Sequence, residues 1–310
     1  MNQKSARHDD TQPPFISTRS EEIVVDRLLA MKEQETKRYI RTDYLKTAAL
    51  CEVTVDAWCR FKMVQWCYSV VDFAHFSRET VSMSMSYLDR FLGSNSPRSQ
   101  QVIQDRKVYQ LAAMTCLYLA IKIFEPRMIE TRLLSDLSRG CYSPEDIKKM
   151  EIDIIFDLKW HLNDPSPLSY LMNCLALIPF EHGAEINRVM ILDLARYQIE
   201  LSVLDYKLMT QSASNIAIAA LTSSIALVFS DRGIEINQSE LLTPMGKIFT
   251  SEFQSCSISE ISQRLEDLHN REIPGILQRK KNTLSATEDN HLAIKTQQQR
   301  RSLSPVCVYT

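Results

Sequence analysis

The residues of this sequence with chemical potential are charges stranded among apolar neighbours. Arg60 follows Trp58-Cys59 and precedes Phe61, with Met63 close behind; Asp89 lies between Tyr87-Leu88 and Phe91-Leu92. A charge on an apolar face is costly unless it is paired. Each has two readings: it snorkels to solvent along its own stem, or it meets an opposite charge on a neighbouring element. Because each has a suitable partner, a buried Arg60–Asp89 ion pair is favoured. Lys122 closes the apolar run Leu117–Ile121, and Glu151 opens the apolar part of a later segment. Lys122 also reads as a cation favouring a helix C-terminus, worth ~0.3–1 kcal/mol. Glu151 also reads as a solvated carboxylate beside Lys148 and Lys149. Spacing alone leaves those alternatives open.

Arrangements that perform catalysis are missing. The sequence has no Gly-rich phosphate loop, no H-E-x-x-H, no G-x-S-x-G and no calcium loop. The six histidines, at 8, 75, 161, 182, 269 and 291, lack metal-ligand spacing. The carboxylates are many but unpaired. We therefore expect no enzyme, no metal and no cofactor. A formal net charge of −2 gives no global basic field, so nucleic acid is not an expected partner. The eight cysteines form no C-x-x-C pair and mostly sit in apolar segments, which reads as reduced core thiols in an intracellular protein. Met1–Asp10 has no apolar stretch of the kind a signal peptide needs. The longest apolar run, Ile216–Phe229, is interrupted by Thr222-Ser223-Ser224 and reads as too short to span a bilayer. No membrane association is expected.

The elements that must position these charges read as helices throughout. Only six glycines in 310 residues leave few places for strands to turn. Residues 1–19, with Pro13-Pro14, read as a disordered leader, and Glu21–Tyr39 as an amphipathic helix with acids early and bases late. In 54–72, Met63, Trp66, Cys67, Val70 and Val71 share one helical face. Val81–Tyr87 alternates like a strand, yet the pattern continues to Leu92; a helix capped by Ser77 and stopped by Gly93 is predicted. Residues 94–104 read as a polar loop. Lys107–Phe124 is apolar nearly all round, as a central buried helix is. A short helix over Met128–Leu137 ends at Gly140. Ser143-Pro144-Glu145-Asp146 is a strong helix start, with Ser as cap, Pro in the first turn and two acids against the dipole.

After the break at Asp164-Pro165-Ser166-Pro167 the plan recurs. Helical patterns cover 167–178, 185–202, 212–229, 239–251 and 258–270, the last opened by a capping-box pattern, Ser257 to Glu260. Each half holds a small-residue-rich central helix ending in Phe, at Phe124 and Phe229. From Gly275 the tail is polar. The predicted organisation is a leader (1–19), an N-terminal helix plus first helical domain (20–163), a second helical domain (164–274) and a disordered tail (275–310).

At these residues the sequence resembles the cyclin family, over roughly residues 20–270. The matching segments are Arg60 with Trp66 six residues on, like M-R-A-I-L-x-x-W; Tyr87-Leu-Asp-Arg-Phe-Leu92; Leu119-Ala-Ile-Lys122 followed by Glu125; and Met150-Glu151, while the Pro165-Ser-Pro167 junction looks like the start of the family's second box. Four such matches in order are specific where one is not. The resemblance implies an all-α protein of two tandem five-helix cyclin boxes with an N-terminal helix, a non-catalytic subunit that binds and activates a cyclin-dependent Ser/Thr kinase in cell-cycle control. By that analogy Arg60 pairs with Asp89. Lys122 and Glu151 bond the backbone around the kinase αC helix, and Ile123, Ile155, Trp160 and Leu162 line the surrounding apolar surface. Leu227 stands opposite Lys122 in the second repeat, so the first box would carry the kinase interface.

The sequence also departs from the family. Cell-cycle cyclins dock R-x-L substrate motifs on a groove whose positions correspond to Cys59, Lys62, Met63, Trp66 and Gln110, so kinase substrates are further expected partners. Lys62 replaces an apolar residue there, which changes that groove. No L-x-C-x-E is present, no R-x-x-L stands near the N-terminus, and Arg300–Leu303 fits the latter pattern only in the tail. The alternative reading is a cyclin-fold binding protein or scaffold without a kinase, of the transcription-related kind; the Lys122/Glu151 pair argues against it. Nucleus or cytoplasm is the expected location, with Arg279-Lys280-Lys281 the one hint of import.

Overall fold

Three helices begin on the same two residues. Ser96, Ser143 and Ser166 each stand in extended backbone, each is followed by Pro, and each hydroxyl accepts the amide three residues on, from Ser99, Asp146 and Ser169. Proline is pre-set for the first turn and gives up an amide that would be unsatisfied anyway. At Ser143 the Asp146 carboxylate also bonds back, at 2.9 Å, to the Ser143 amide. Asp56 and Asp105 cap two further helices through the amides of Cys59 and Lys107.

The computed structural model describes residues 18–48, 54–179, 185–230, 242–246, 248–250 and 256–271. Within them the order is α1 (Thr18–Arg38), α2 (Tyr44–Ala48), α3 (Ala57–Ala74), α4 (Glu79–Leu92), α5 (Pro97–Gln104), α6 (Arg106–Phe124), α7 (Thr131–Leu137), α8 (Pro144–Asp157), α9 (Pro167–Leu177), α10 (Glu185–Leu204), a 3-10 turn (Tyr206–Leu208), α11 (Ala213–Ser230), a short turn of helix (Thr243–Gly246) and a C-terminal helix (Cys256–Asn270). No strand occurs among the described residues. The expected segments 275–310 and most of 1–19, with Arg279-Lys280-Lys281 and Arg300–Leu303, lie outside them.

The all-helical architecture holds, in two layered bundles. In the first, α6 is the axis, packed by α3, α4, α5 and α8; in the second, α11 is the axis, packed by α9, α10 and the C-terminal helix. Leu111–Leu117 and Leu119–Ile121 of α6 and Ile216–Leu221 of α11 are buried. Both axial helices reach membrane-spanning length and hydropathy, a length the sequence pattern had not suggested. In each, 67% of the apolar window is nonetheless buried inside the protein. Helices apolar all round belong at the centre of a fold, and this one places them there.

Four local expectations are corrected. Residues 94–104 are not merely a loop, since they contain α5, opened by the Ser96-Pro97 start. Ser77 does not cap α4 by side chain to a third-residue amide; its hydroxyl accepts the Glu79 amide at 3.3 Å, while Arg78 occupies the cap position. Gly93 ends α4 without left-handed backbone, at φ −76°. What it supplies is closeness, because a Cβ there would lie 2.3 Å from Thr42 Oγ1. The C-terminal helix already includes Cys256, so Ser257 falls inside it.

Lacking glycine, the chain ends helices on other residues. His75, Arg139 and Lys159 take left-handed φ of 55°, 57° and 51°, each followed by an amide bonded six-to-one across the end: Phe76 to Val71, Gly140 to Ser135 and Trp160 to Ile155. This is the Schellman closure, at about 1–2 kcal/mol of strain per non-glycine residue. After α8 the strain doubles, because Trp160 is also left-handed, at 62°.

α1 ties the second bundle down. Lys32 Nζ donates to the Ile248 carbonyl at 3.0 Å and stands over the Phe249 ring. Glu35, 7% exposed, accepts the Ser214 amide at 3.2 Å and the Ser214 hydroxyl at 2.6 Å, so it caps α11 from another helix. Burial pushes its carboxyl above the ordinary 4.5, and the Ser214 bonds pull it only part of the way back. A carboxyl with a raised folded-state pKa takes up a proton on folding, so its contribution to stability falls as pH rises from 4.5 through the raised value. Glu35→Gln removes that dependence. In urea unfolding from pH 4 to 7, wild type is expected to lose ground steadily to the variant until the folded carboxyl has ionised, about 1.4 kcal/mol per unit of raised pKa. Parallel stability curves would show that Glu35 ionises freely in place.

Candidate functional site

Lys122 lies in the last turn of α6 and Glu151 two turns into α8, and the packing of α8 against α6 brings them together with Nζ 2.6 Å from Oε1. The lysine side chain is 35% exposed and the glutamate 13%. Lys122 also stands 5.1 Å from the centre of the Tyr118 ring. A pair so accessible to water adds only about 0–1 kcal/mol to folding, so stability is a poor reason for placing it here. Its surroundings supply a better one. Ile123 and Phe124 follow Lys122, 43% and 40% exposed; Ile152 and Phe156 come after Glu151 on α8, 54% and 67% exposed; Trp160, just past α8, is 68% exposed. Ile155 and Leu162 are half-buried against the core. One exposed apolar residue needs no explanation, but several large ones around a charged pair mark a surface meant to be covered. Phe124, Ile152 and Phe156 are exposed on the two helices that carry the pair, and the sequence alone does not single them out. In a periodic pattern they look like any other apolar helix position, and only exposure tells them apart.

Arg60 and Asp89 form the second charged feature, and it is structural. Arg60 on α3 donates through Nε to Asp89 Oδ1 at 3.0 Å and through a terminal nitrogen to Oδ2 at 2.8 Å; the side chains are 3% and 2% exposed. Its remaining terminal nitrogen donates to the Val203 carbonyl at the end of α10, at 2.6 Å. Burial alone would lower the guanidinium pKa, but the Asp89 carboxylate outweighs it and holds the group above its ordinary value. One arginine thus joins two helices of the first bundle to the second. Tyr68, donating to the Glu200 carbonyl at 3.0 Å, and Arg78, 3.2 Å from the Glu200 carboxylate, run along the same seam. Glu125, just after α6, accepts the Ser77 amide at 2.9 Å and the Thr80 hydroxyl, which fixes the α3–α4 turn.

At the N-terminal end of α3, the positions expected to form a substrate groove lie mostly below the surface. Cys59, Met63, Trp66 and Gln110 are 2%, 0%, 6% and 2% exposed. Lys62 is half-buried, its Nζ 4.5 Å over the Trp58 ring, and Trp58 stacks on Phe61. Trp58 is exposed at this end of α3, with Phe61 and Lys62 half-buried beside it. Cys67, Cys116 and Cys174 are buried free thiols whose pKa burial pushes up, to about 12 for Cys67 and Cys174. They are core residues, not nucleophiles. Among the described residues no three His, Cys, Asp or Glu side chains stand together as a metal site.

With this geometry established, two comparisons decide the family. Residues 26–163 match the family described as Cyclin, N-terminal domain, and residues 165–300 match Cyclin, C-terminal domain. The chain belongs to the cyclin family. Its two bundles are the two cyclin domains, meeting at the Asp164-Pro165 junction; the second match runs to residue 300, past the boundary at 274 that composition suggested. Cyclin-A1-4 of Oryza sativa subsp. japonica is 28% identical over 191 residues, covering 62% of this chain and 50% of that protein. G2/mitotic-specific cyclin-B2 of Gallus gallus is 28% identical over 227 residues, covering 72% and 51%. The chain spans about half the length of the curated relatives it matches. A viral cyclin from herpesvirus saimiri shares the fold, with a TM-score of 0.57 at 14% identity over 80% of this chain and 97% of that one. In the second cyclin domain Leu227 is a half-buried apolar residue of α11.

Proposed function

We propose that this cyclin is a regulatory subunit that binds and activates a cyclin-dependent Ser/Thr kinase in cell-cycle control, acting in the nucleus or cytoplasm. The observation that carries the reading is the Lys122–Glu151 pair, weakly useful for folding, on two helices whose Ile123, Phe124, Ile152 and Phe156, with Trp160 just past α8, are left exposed. An inactive kinase holds its αC glutamate away from the β3 lysine, and phosphoryl transfer needs both in place. A partner that binds only the αC-in form shifts that equilibrium by its differential affinity. About 5.5 kcal/mol turns a 1:99 population into 99:1. An interface of ordinary size, ~1,600 Å², is large enough for that. In this reading the apolar rim supplies the binding energy and the charged pair supplies register, since Lys122 donates and Glu151 accepts at fixed positions.

The test is direct. The tagged full chain is expressed in proliferating cells and recovered, and histone phosphorylation by the recovered material is measured with and without an ATP-competitive kinase inhibitor. Inhibitor-sensitive phosphorylation, with a cyclin-dependent kinase identified in the eluate, is the expected result. A folded chain that recovers no kinase would overturn the activator reading and favour a cyclin-fold scaffold.

A further inference from the structure

Trp160 is the most exposed of the large residues around Lys122 and Glu151, and its own packing does little to hold it. Its direction is set by the backbone of Lys159 and Trp160, both left-handed although neither is glycine. Such a conformation persists only where the surroundings over-determine it. Here they do, through a second buried charged cluster on the far side of the segment. Arg90 of α4 donates to the His161 carbonyl at 2.9 Å and to Asp164 Oδ1 at 2.8 Å, with side-chain exposures of 5% and 2%. The Ser86 hydroxyl donates to the other Asp164 oxygen, and the Tyr87 hydroxyl donates to the Leu162 carbonyl. Just past α1, Tyr39 lies under the Arg90 guanidinium at 5.0 Å and meets His161 edge-on at 6.3 Å. Consecutive carbonyls, those of His161 and Leu162, are thus tied from inside while Trp160 faces out.

We propose that Arg90, Asp164 and Tyr87 are positioning residues that hold the Trp160–Leu162 segment in its partner-ready conformation, so that affinity for the kinase is set partly by a buried cluster. The inference rests on the kinase-binding reading above. A surface already fixed in its bound form saves the entropy of ordering it on binding. The cluster also explains an arginine and an aspartate that serve no role in the Lys122–Glu151 face, and through Tyr39 it joins the segment just after α1 to that face.

Tyr87→Phe removes one tie and keeps the ring, so the fold survives it. Arg90→Met/Asp164→Leu removes the charged tie without leaving an orphan charge. Two measurements on the full chain decide the matter: amide hydrogen exchange of residues 158–163 in the free protein, and Kd for a purified cyclin-dependent kinase, each with and without Trp160→Ala. The expected result is faster exchange confined to that segment and about three- to tenfold weaker binding for Tyr87→Phe. In the Trp160→Ala background the same substitution should change Kd by less than about twofold, because the cluster acts through Trp160. Unchanged exchange would overturn the positioning role, and an equal loss of affinity with or without Trp160 would reduce the cluster to general stability. If wild type bound no kinase while exchange responded as expected, the kinase reading would fail and the partner half of this inference with it.

Discussion

Arg60→Met is expected to destabilise the fold by about 3–5 kcal/mol, the usual loss when one partner of a buried ion pair is removed. The number follows from what is left behind. Asp89, 1% exposed, keeps a charge with no cation, and the Val203 carbonyl loses the donor that stood 2.6 Å away. Against a total stability of about 5–15 kcal/mol, that is a large fraction. Arg60→Lys should not rescue it, because a single ammonium cannot reproduce two bonds to Asp89 and a third to Val203. The double variant Arg60→Met/Asp89→Leu should recover much of the loss, because the stranded carboxylate is gone and only the Val203 carbonyl remains unpaired. Urea unfolding followed by far-UV circular dichroism measures all three. An Arg60→Met protein within about 1 kcal/mol of wild type would mean that water reaches Asp89 and that the seam between the two domains does not depend on this arginine.

Lys122→Ala/Glu151→Ala is expected to weaken kinase binding at least about 100-fold, or ~2.7 kcal/mol, while leaving the unfolding midpoint within about 1 kcal/mol of wild type. The contrast arises because the pair is 35% and 13% exposed in the free chain but would be desolvated under a partner. There, a donor or acceptor left unmatched costs its full desolvation. A swapped variant, Lys122→Glu/Glu151→Lys, sharpens the test. It keeps an ion pair between α6 and α8 but reverses which side donates, so it should fold as wild type does and still fail to bind. Binding titrations with purified kinase, run beside urea unfolding, separate the two quantities. If either variant bound as wild type does, the kinase face would have to be sought elsewhere on the chain.

Much of this was legible in the sequence because the signals are local or nearly so. A Ser-Pro start with acids behind it needs only four residues to be read, and Ser143-Pro144-Glu145-Asp146 forms the capping box it spells. A long apolar helix with no polar face has nowhere to go but the centre, which placed 107–124 and 212–229 in advance. Arg60 and Asp89 announced each other because each was an isolated charge on an otherwise apolar face. The same Ser-Pro start at Ser96 opens α5, but few apolar residues follow it, so the segment reads as a loop although it is a short helix packed on α6.

What lay beyond the sequence shares one cause. Arg90 adjoins Asp89 in the chain, yet its partner Asp164 is 74 residues away in what reads as a mere break between domains. Nothing local links them until the path after α8 folds back over α4. Periodicity said that Cys59, Met63 and Trp66 lie on an apolar face, but not that neighbouring helices cover it and leave Trp58 exposed with Phe61 and Lys62 half-buried beside it. Nor could it separate the exposed Phe156 from the buried Ile154, two residues apart in one helix. Helix position and the existence of a charged pair follow from a few neighbouring residues and the cost of burying charge. Which apolar face stays uncovered, and which backbone is forced left-handed to present it, depends on how the two domains and the N-terminal helix close around each other, and only the tertiary structure decides that.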